Sequence, residues 1–180
     1  MERITAINPQ TAEGRARELL DAVKARLGLV PNMTRSMAVS PSVLDAYLGF
    51  SGALAHGVLP ARVREQLALD VGEANHCHYC VSAHSALGKR AGLTDQDVLD
   101  SRRGASADPK ADVLLRFART VLEKRGVVED ADLALVRQAG YGDAEIAEVV
   151  AHVGLNVFTN YFNHVAGTPI DFPKVPALSA

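Results

Sequence analysis

The chain has 180 residues, of which 48% are hydrophobic and 22% charged, and its formal net charge is −2. This is the composition of an ordinary globular domain, and the balanced charge gives no reason to expect nucleic acid or an anionic membrane surface as a partner. The first residues lack the apolar segment of a secretory signal, and no apolar run reaches membrane-spanning length. We therefore expect a cytoplasmic protein.

Helical periodicity runs through nearly the whole chain. Apolar residues recur at intervals of three and four, and no segment alternates convincingly with a period of two. The pattern therefore predicts the all-α class. We expect helices over residues 11–27, 41–57, 60–74, 77–91, 95–101, 109–125, 129–139 and 144–164.

A single all-α domain, residues 1–180, accommodates these helices. We expect N-terminal helices in 1–59, a redox helix pair in 60–92, C-terminal helices in 93–166 and an extended tail in 167–180.

That tail is apolar but too short to fold alone. Apolar patches of this kind usually find a partner surface, so the tail predicts a homo-oligomer. Its apolar residues are Ile170, Phe172, Val175 and Leu178.

Both cysteines lie in one short segment, HCHYCVSAH, at residues 76–84. Cys77 and Cys80 form a Cys-x-x-Cys spacing, and His84 follows Cys80 by four residues. On a helix these three side chains share one face. The spacing therefore places two thiols within reach of a disulfide, and an imidazole beside the second thiol.

Three interpretations of this cysteine pair are open. The two residues could be small buried hydrophobes, or they could be zinc ligands together with His84 and a fourth ligand, His56 or His76. The third, which we favour, is a redox dithiol on a helical scaffold. A thioredoxin-like protein is excluded because the βαβ pattern around its motif is missing.

Two glutamates are candidates to serve the thiols. Glu65 has small helical neighbours, which would let another helix approach and bury it, and a buried carboxylate needs a partner. Glu73 lies four residues before Cys77, but glycine and asparagine between Gly72 and His76 are expected to break the helix. We therefore predict that Glu65 is the acid, with a solvated Glu65 as the alternative.

The last predicted helix carries a column of polar residues at helical spacing. A solvated face is the favoured interpretation, and a buried polar network or subunit contact is the alternative. The column comprises His152, Asn156, Asn160 and His164, with Thr159 and Asn163 alongside.

A faint internal repeat also appears at a spacing of 80 residues. It pairs Glu65 with Glu145 and His84 with His164. The repeat hints at a duplicated helical unit, of which one copy carries the chemistry.

The stretch REQLALDVGEANHCHYCVSAHS resembles the alkylhydroperoxidase D and carboxymuconolactone decarboxylase-like family. The family pattern is a glutamate, eleven residues, then Cys-x-x-Cys-x-x-x-His, which Glu65, Cys77, Cys80 and His84 match one for one. Further similarity in LGLVPN and NYFNHVAGTPIDFP points to its peroxidase-related branch. The best-known members have a histidine just before the second cysteine, where this chain has Tyr79.

The resemblance implies an all-α alkylhydroperoxidase D-like fold, oligomers, and reduction of hydroperoxides through the cysteines, re-reduced by an external dithiol or thiol protein. We expect no cofactor and no metal. Cys80 is predicted to attack the peroxide because His84 can take its proton, with Glu65 orienting His84. A more exposed Cys77 would resolve and meet the donor. The alternatives are a disulfide reductase or redox sensor, and an oligomeric binding module with structural zinc.

Overall fold

The computed structural model describes residues 1–178, which fold into nine helices and contain no strand, so the predicted all-α class is confirmed. None of the helices in these residues is long and apolar enough to cross a membrane. The helices are α1 (Gly14–Leu27), α2 (Asn32–Met37), α3 (Pro41–Leu54), α4 (Ala61–Ala74), α5 (His78–Arg90), α6 (Asp95–Arg102), α7 (Pro109–Glu123), α8 (Asp130–Gln138) and α9 (Asp143–Ala166).

Helix α2 is the one element that the sequence analysis missed. It follows Pro31, which occupies the N-cap position, and buries Met33 and Met37 against the neighbouring helices. Six residues are too few to show a helical period, so its sequence resembles a loop. The predicted boundaries elsewhere agree to within a few residues. Thr94, for example, caps α6 through a reciprocal hydrogen bond with Asp97.

Helix α4 lies at the centre of the fold and packs against α5, α6, α7 and α9. Its Leu67 and Val71 are completely buried in a cluster with apolar residues of α7, α8 and α9. A second cluster, formed mainly by α1, α2, α3 and α5, contains both cysteines. The two cysteines thus lie in the packing interface between α5 and the N-terminal helices.

The predicted duplicated unit is not confirmed. Residues 65–84 span two helices with a break between them, whereas residues 145–164 lie inside the single continuous helix α9. Glu65 bonds to His84, but Glu145 accepts a hydrogen bond from the backbone of Gly142. The two segments therefore differ in helix continuity and in the contacts of their glutamates.

The described part of the tail, residues 167–178, packs against its own chain. Phe172 and Ile170 contact the second cluster, which contains the cysteines, and the backbone N–H of Asn32 donates to the Asp171 carboxylate at 2.7 Å. Arg102 donates to the carbonyl of Pro176 at 2.9 Å. Because these intrachain contacts partly cover the apolar tail residues, the tail no longer supplies a reason for a partner surface. The homo-oligomer stays a prediction.

A buried ion pair between α4 and α7 predicts an unusual pH dependence of stability. Asp70 is fully buried and accepts a hydrogen bond from Arg119, yet its second oxygen has no partner among the described residues. Burial raises the pKa of Asp70 to about 6, against an ordinary value of 3.8, and Arg119 only partly offsets this. The folded state therefore holds the proton more tightly than the unfolded state does.

We expect this contribution to be present below pH 4 and to be lost as the pH rises through 6. At about 1.4 kcal/mol per pKa unit, the free energy of unfolding of the wild type relative to Asp70→Asn should fall by about 2 kcal/mol between pH 4 and pH 7. Denaturant unfolding of both proteins across that range measures the difference. The contributions of the other carboxylates to the pH dependence are the same in both proteins and cancel in the difference. Parallel pH profiles would contradict the assignment.

Candidate active site

The predicted helix break is present and places the two cysteines. Helix α4 ends at Ala74 with Asn75 as its C-cap, His76 adopts a left-handed conformation with φ 55°, and Cys77 occupies the N-cap of α5. The backbone N–H of Cys77 donates to the carbonyl of Gly72 at 2.8 Å, which turns the chain sharply. Cys80 lies in the first turn of α5, and the positive end of a helix dipole favours a thiolate.

Cys77 and Cys80 are joined by a disulfide, and their Cα atoms are 5.3 Å apart. The Cys80 backbone N–H donates to Cys77 Sγ at 3.3 Å, and Asn163 Nδ2 donates to Cys80 Sγ at 3.4 Å. The expectation of a more exposed Cys77 is wrong. Cys77 is 2% and Cys80 3% exposed, because the capping position folds Cys77 into the core cluster.

Glu65 and His84 form the predicted pair between α4 and α5. Glu65 Oε2 lies 2.8 Å from His84 Nδ1, and both side chains are about three-quarters buried. The two helices approach closely here, since Gly88 presents no side chain towards Glu65. With Nδ1–H donated to the carboxylate, the neutral imidazole keeps Nε2 available as a base.

Glu73 points to a different partner. Its carboxylate accepts a hydrogen bond from Arg102 Nε at 2.7 Å, and the Arg102 side chain is only 7% exposed. The break after α4 therefore separates Glu73 from the His84 imidazole, whereas Glu65 contacts it.

A cavity of about 300 Å³ adjoins Cys80. Glu65 and His84 line it, as do Leu48 of α3 and Phe172 of the tail, and most of the remaining lining is apolar. Cys77 is not among the lining residues. The cavity thus brings together one of the two sulfurs, the acid–base pair and an apolar compartment.

The polar column of α9 is mostly buried, so the solvated face that we favoured is wrong. Helix α9 packs against α4 and α5, which turns this face inwards, and only His164 stays exposed. The absence of Lys and Glu from the column was the signal for burial. The buried members are His152, Asn156, Thr159, Asn160 and Asn163, each at most 6% exposed.

The described residues do not form the metal site that was considered. No group of three or more His, Cys, Asp or Glu side chains in residues 1–178 is arranged to hold a metal ion. The candidate fourth ligands, His56 and His76, also lie outside the lining of the cavity.

Comparison with known families identifies the central segment. Residues 41–124, just under half of the chain, match the Carboxymuconolactone decarboxylase family. This segment runs from α3 to the end of α7 and includes Glu65, both cysteines and His84. No curated protein is detectably similar to the chain in sequence.

Several solved structures share the fold over nearly their whole length. One is the alkylhydroperoxidase AhpD core of an uncharacterized peroxidase-related protein from Ralstonia eutropha JMP134, at 22% identity and a TM-score of 0.86, covering 94% of this chain and 92% of that one. The predicted resemblance to the alkylhydroperoxidase D and carboxymuconolactone decarboxylase-like proteins is confirmed over residues 41–124 by the family match, and the solved structure shows the shared fold.

Two further structures extend this comparison. A peroxidase-related protein from Silicibacter sp. TM1040 has 24% identity and a TM-score of 0.79, covering 93% of this chain and 92% of that one. The debrominase Bmp8, in a cysteine-to-alanine variant bound to 2,3,4-tribromopyrrole, has 17% identity and a TM-score of 0.78, covering 94% and 91%. At these identities the likeness establishes the alkylhydroperoxidase D-like fold and leaves the reaction open.

Tyr79 occupies the position at which well-known alkylhydroperoxidase D-like proteins have a histidine. Its hydroxyl accepts a hydrogen bond from the Met33 backbone N–H at 3.2 Å, and its ring packs edge-on against Phe172 at 5.8 Å between centroids. Burial raises the pKa of the phenol, so Tyr79 keeps its proton at neutral pH. Tyr79 therefore fastens α5 to α2 and the tail, and cannot act as a base.

Proposed function

We propose that the protein is a dithiol peroxidase that reduces hydroperoxides through a Cys77–Cys80 thiol–disulfide cycle. One observation carries the proposal. Cys80 borders a cavity of about 300 Å³ that also contains the Glu65–His84 pair. A nucleophilic sulfur, a base, and a group that orients the base are the components that activated-thiol chemistry requires.

The proposed cycle starts from the reduced dithiol. His84 takes the proton of Cys80, and the thiolate attacks the terminal oxygen of the hydroperoxide. An S–O bond forms, the O–O bond breaks, and the departing alkoxide receives a proton and leaves as an alcohol. Cys80 is then a sulfenic acid. Cys77 attacks its sulfur and expels water, which leaves the disulfide. An external dithiol restores both thiols and supplies the two electrons by exchange through a mixed disulfide.

The cavity supports an organic hydroperoxide as the substrate. A water molecule occupies about 30 Å³ of liquid volume, and hydrogen peroxide is little larger, so a cavity of 300 Å³ with a largely apolar lining has room for an organic group. Apolar pockets of this size typically bind small organic molecules.

The burial of both sulfurs favours a small dithiol as the electron donor. A compact dithiol can enter the cavity and reach Cys80, whereas a thiol protein requires the structure around the disulfide to open first. A thiol pair that must be regenerated suits a reducing compartment, so the proposal includes a cytoplasmic location.

A homo-oligomer remains part of the proposal, now supported by α9 rather than by the tail. Val150, Phe158, Tyr161 and Val165 are exposed at helical spacing along one side of this helix. Exposed apolar side chains in such a row commonly mark a protein interface.

A peroxide-consumption assay tests the proposal. We expect tert-butyl and cumene hydroperoxide to be consumed in the presence of dihydrolipoamide, more slowly with thioredoxin, and at the background rate with the Cys80→Ser variant. Disulfide exchange without peroxide consumption would instead favour the reductase or sensor function. The fold shared with a debrominase makes 2,3,4-tribromopyrrole the natural counter-substrate, and its exclusive turnover would overturn the proposal.

A further inference from the structure

His152 is a buried imidazole for which the cycle above gives no role. It lies on α9, is 5% exposed, and lines the same cavity as Cys80. Its Nε2 is buried and has no hydrogen-bond partner among the described residues. A buried polar group without a hydrogen-bond partner is destabilising, so its presence calls for an explanation.

The other polar side chains that α9 contributes to the cavity are already engaged. Asn156 Nδ2 donates to the carbonyl of His152 at 2.8 Å, and Thr159 Oγ1 donates to the carbonyl of Asn156 at 3.0 Å. Both donors are thus used within the helix. Among the polar side chains that α9 places at the cavity, only that of His152 has a buried nitrogen without a hydrogen-bond partner in residues 1–178.

His152 also lies in the electrostatic environment of the acid–base pair. Burial lowers the pKa of its imidazole, and Arg64 and His84 act in the same direction, whereas Glu148 and Glu65 oppose them. The ring is therefore neutral at neutral pH and carries one N–H. A neutral imidazole that donates from one nitrogen can stabilise a developing negative charge without itself giving up a proton.

We propose that His152 is a further catalytic residue, which donates a hydrogen bond from its ring N–H to the leaving oxygen of the hydroperoxide. The inference rests on the proposed function. As Cys80 attacks the terminal oxygen, the O–O bond breaks and negative charge develops on the oxygen that carries the organic group. His152 stabilises that charge, and the proton that His84 took from Cys80 then neutralises the alkoxide. Cys80 is oxidised to the sulfenic acid and the hydroperoxide is reduced to the alcohol.

The test compares two leaving groups in a single turnover. The reduced protein is mixed with tert-butyl hydroperoxide, which must expel an alkoxide, or with peroxybenzoic acid, which expels a stable carboxylate. Quenched flow with mass spectrometry gives the rate of Cys80 oxidation. Removing a preorganised donor typically slows a reaction on the order of 100-fold, so His152→Leu should slow the alkyl hydroperoxide by about that factor. The oxidation of Cys80 by peroxybenzoic acid should slow only a few-fold in the same variant.

Three variants separate a hydrogen bond from a structural effect. His152→Gln keeps an N–H near the same place and should recover part of the lost rate with tert-butyl hydroperoxide. His56→Gln makes the same change at an exposed histidine outside the cavity lining and should react like the wild type. Tyr47→Phe removes the hydroxyl of another cavity-lining residue and should lack the dependence on leaving group.

Equal slowing of both substrates by His152→Leu, with no recovery in His152→Gln, would overturn the role of His152 while leaving the peroxidase function intact. A leaving-group dependence in Tyr47→Phe alone would assign the donor to Tyr47. If the reduced wild type reacts with neither substrate, the proposed function fails and this inference fails with it.

Discussion

Replacing Cys80 with serine is expected to abolish oxidation by hydroperoxides, whereas Cys77→Ser should still react once and stop at a sulfenic acid. Loss of a catalytic nucleophile typically costs on the order of 10⁴-fold or more in rate. Cys80 borders the cavity and receives the Asn163 hydrogen bond, while Cys77 is buried and is not among the lining residues. Only Cys80 can therefore meet a substrate in the cavity without a rearrangement.

Trapping of the sulfenic acid decides between the two cysteines. A dimedone-type probe should label Cys80 in Cys77→Ser within the time of peroxide treatment, and Cys77 in Cys80→Ser should be labelled slowly. Because both sulfurs are nearly inaccessible, labelling without peroxide measures the background. Fast formation of sulfenic acid at Cys77 in the Cys80→Ser variant would reverse the two roles.

Most of the fold could be predicted from the sequence because its signals are local. Apolar periodicity and capping residues located eight of the nine helices in residues 1–178. Helix α2 escaped because six residues carry no measurable period, and it is held by the burial of Met33 and Met37. Those contacts are made with distant parts of the chain, which a local pattern cannot show.

The acid–base pair and the cysteines were predictable for the same reason. Cys80 and His84 are four residues apart on one helix, and the small neighbours of Glu65 indicated a close helix contact. The cavity was not predictable, because helices from both ends of the chain and the tail enclose it. The burial of Cys77 and of His152 follows from that long-range packing.

The polar column of α9 shows the limit of reading polarity as exposure. A helix face lined by amides and imidazoles is polar whether it meets water or a neighbouring helix, and its lack of Lys and Glu was the one sign of burial. In this fold the column faces α4 and α5, and Asn160 accepts a hydrogen bond from Asn75 at 2.9 Å. Partners of this kind become visible only when the helices are assembled.

Glu65→Gln should slow single-turnover oxidation of Cys80 by about 100- to 1,000-fold, whereas Glu73→Gln should leave the rate within a few-fold of the wild type. In the proposed cycle Glu65 is a positioning residue: its carboxylate lies 2.8 Å from His84 Nδ1 and would stabilise the imidazolium that forms when His84 takes the thiol proton. General acid–base groups contribute about 10²- to 10⁴-fold, and glutamine keeps the shape but removes the charge. Glu73 instead bonds to Arg102, so its loss should lower the free energy of unfolding by about 1–3 kcal/mol.

The pH dependence distinguishes a proton-transfer role of Glu65 from a structural one. A free cysteine thiol has a pKa of about 8.5, so above that pH the thiolate forms without help from His84. The deficit of Glu65→Gln should therefore be largest near pH 7 and shrink as the pH rises towards 9.5, because hydroxide then replaces the missing base. A structural defect would slow the reaction equally at every pH. If Glu73→Gln abolished the oxidation of Cys80 and Glu65→Gln left it unchanged, Glu73 rather than Glu65 would be the acid that serves the thiols.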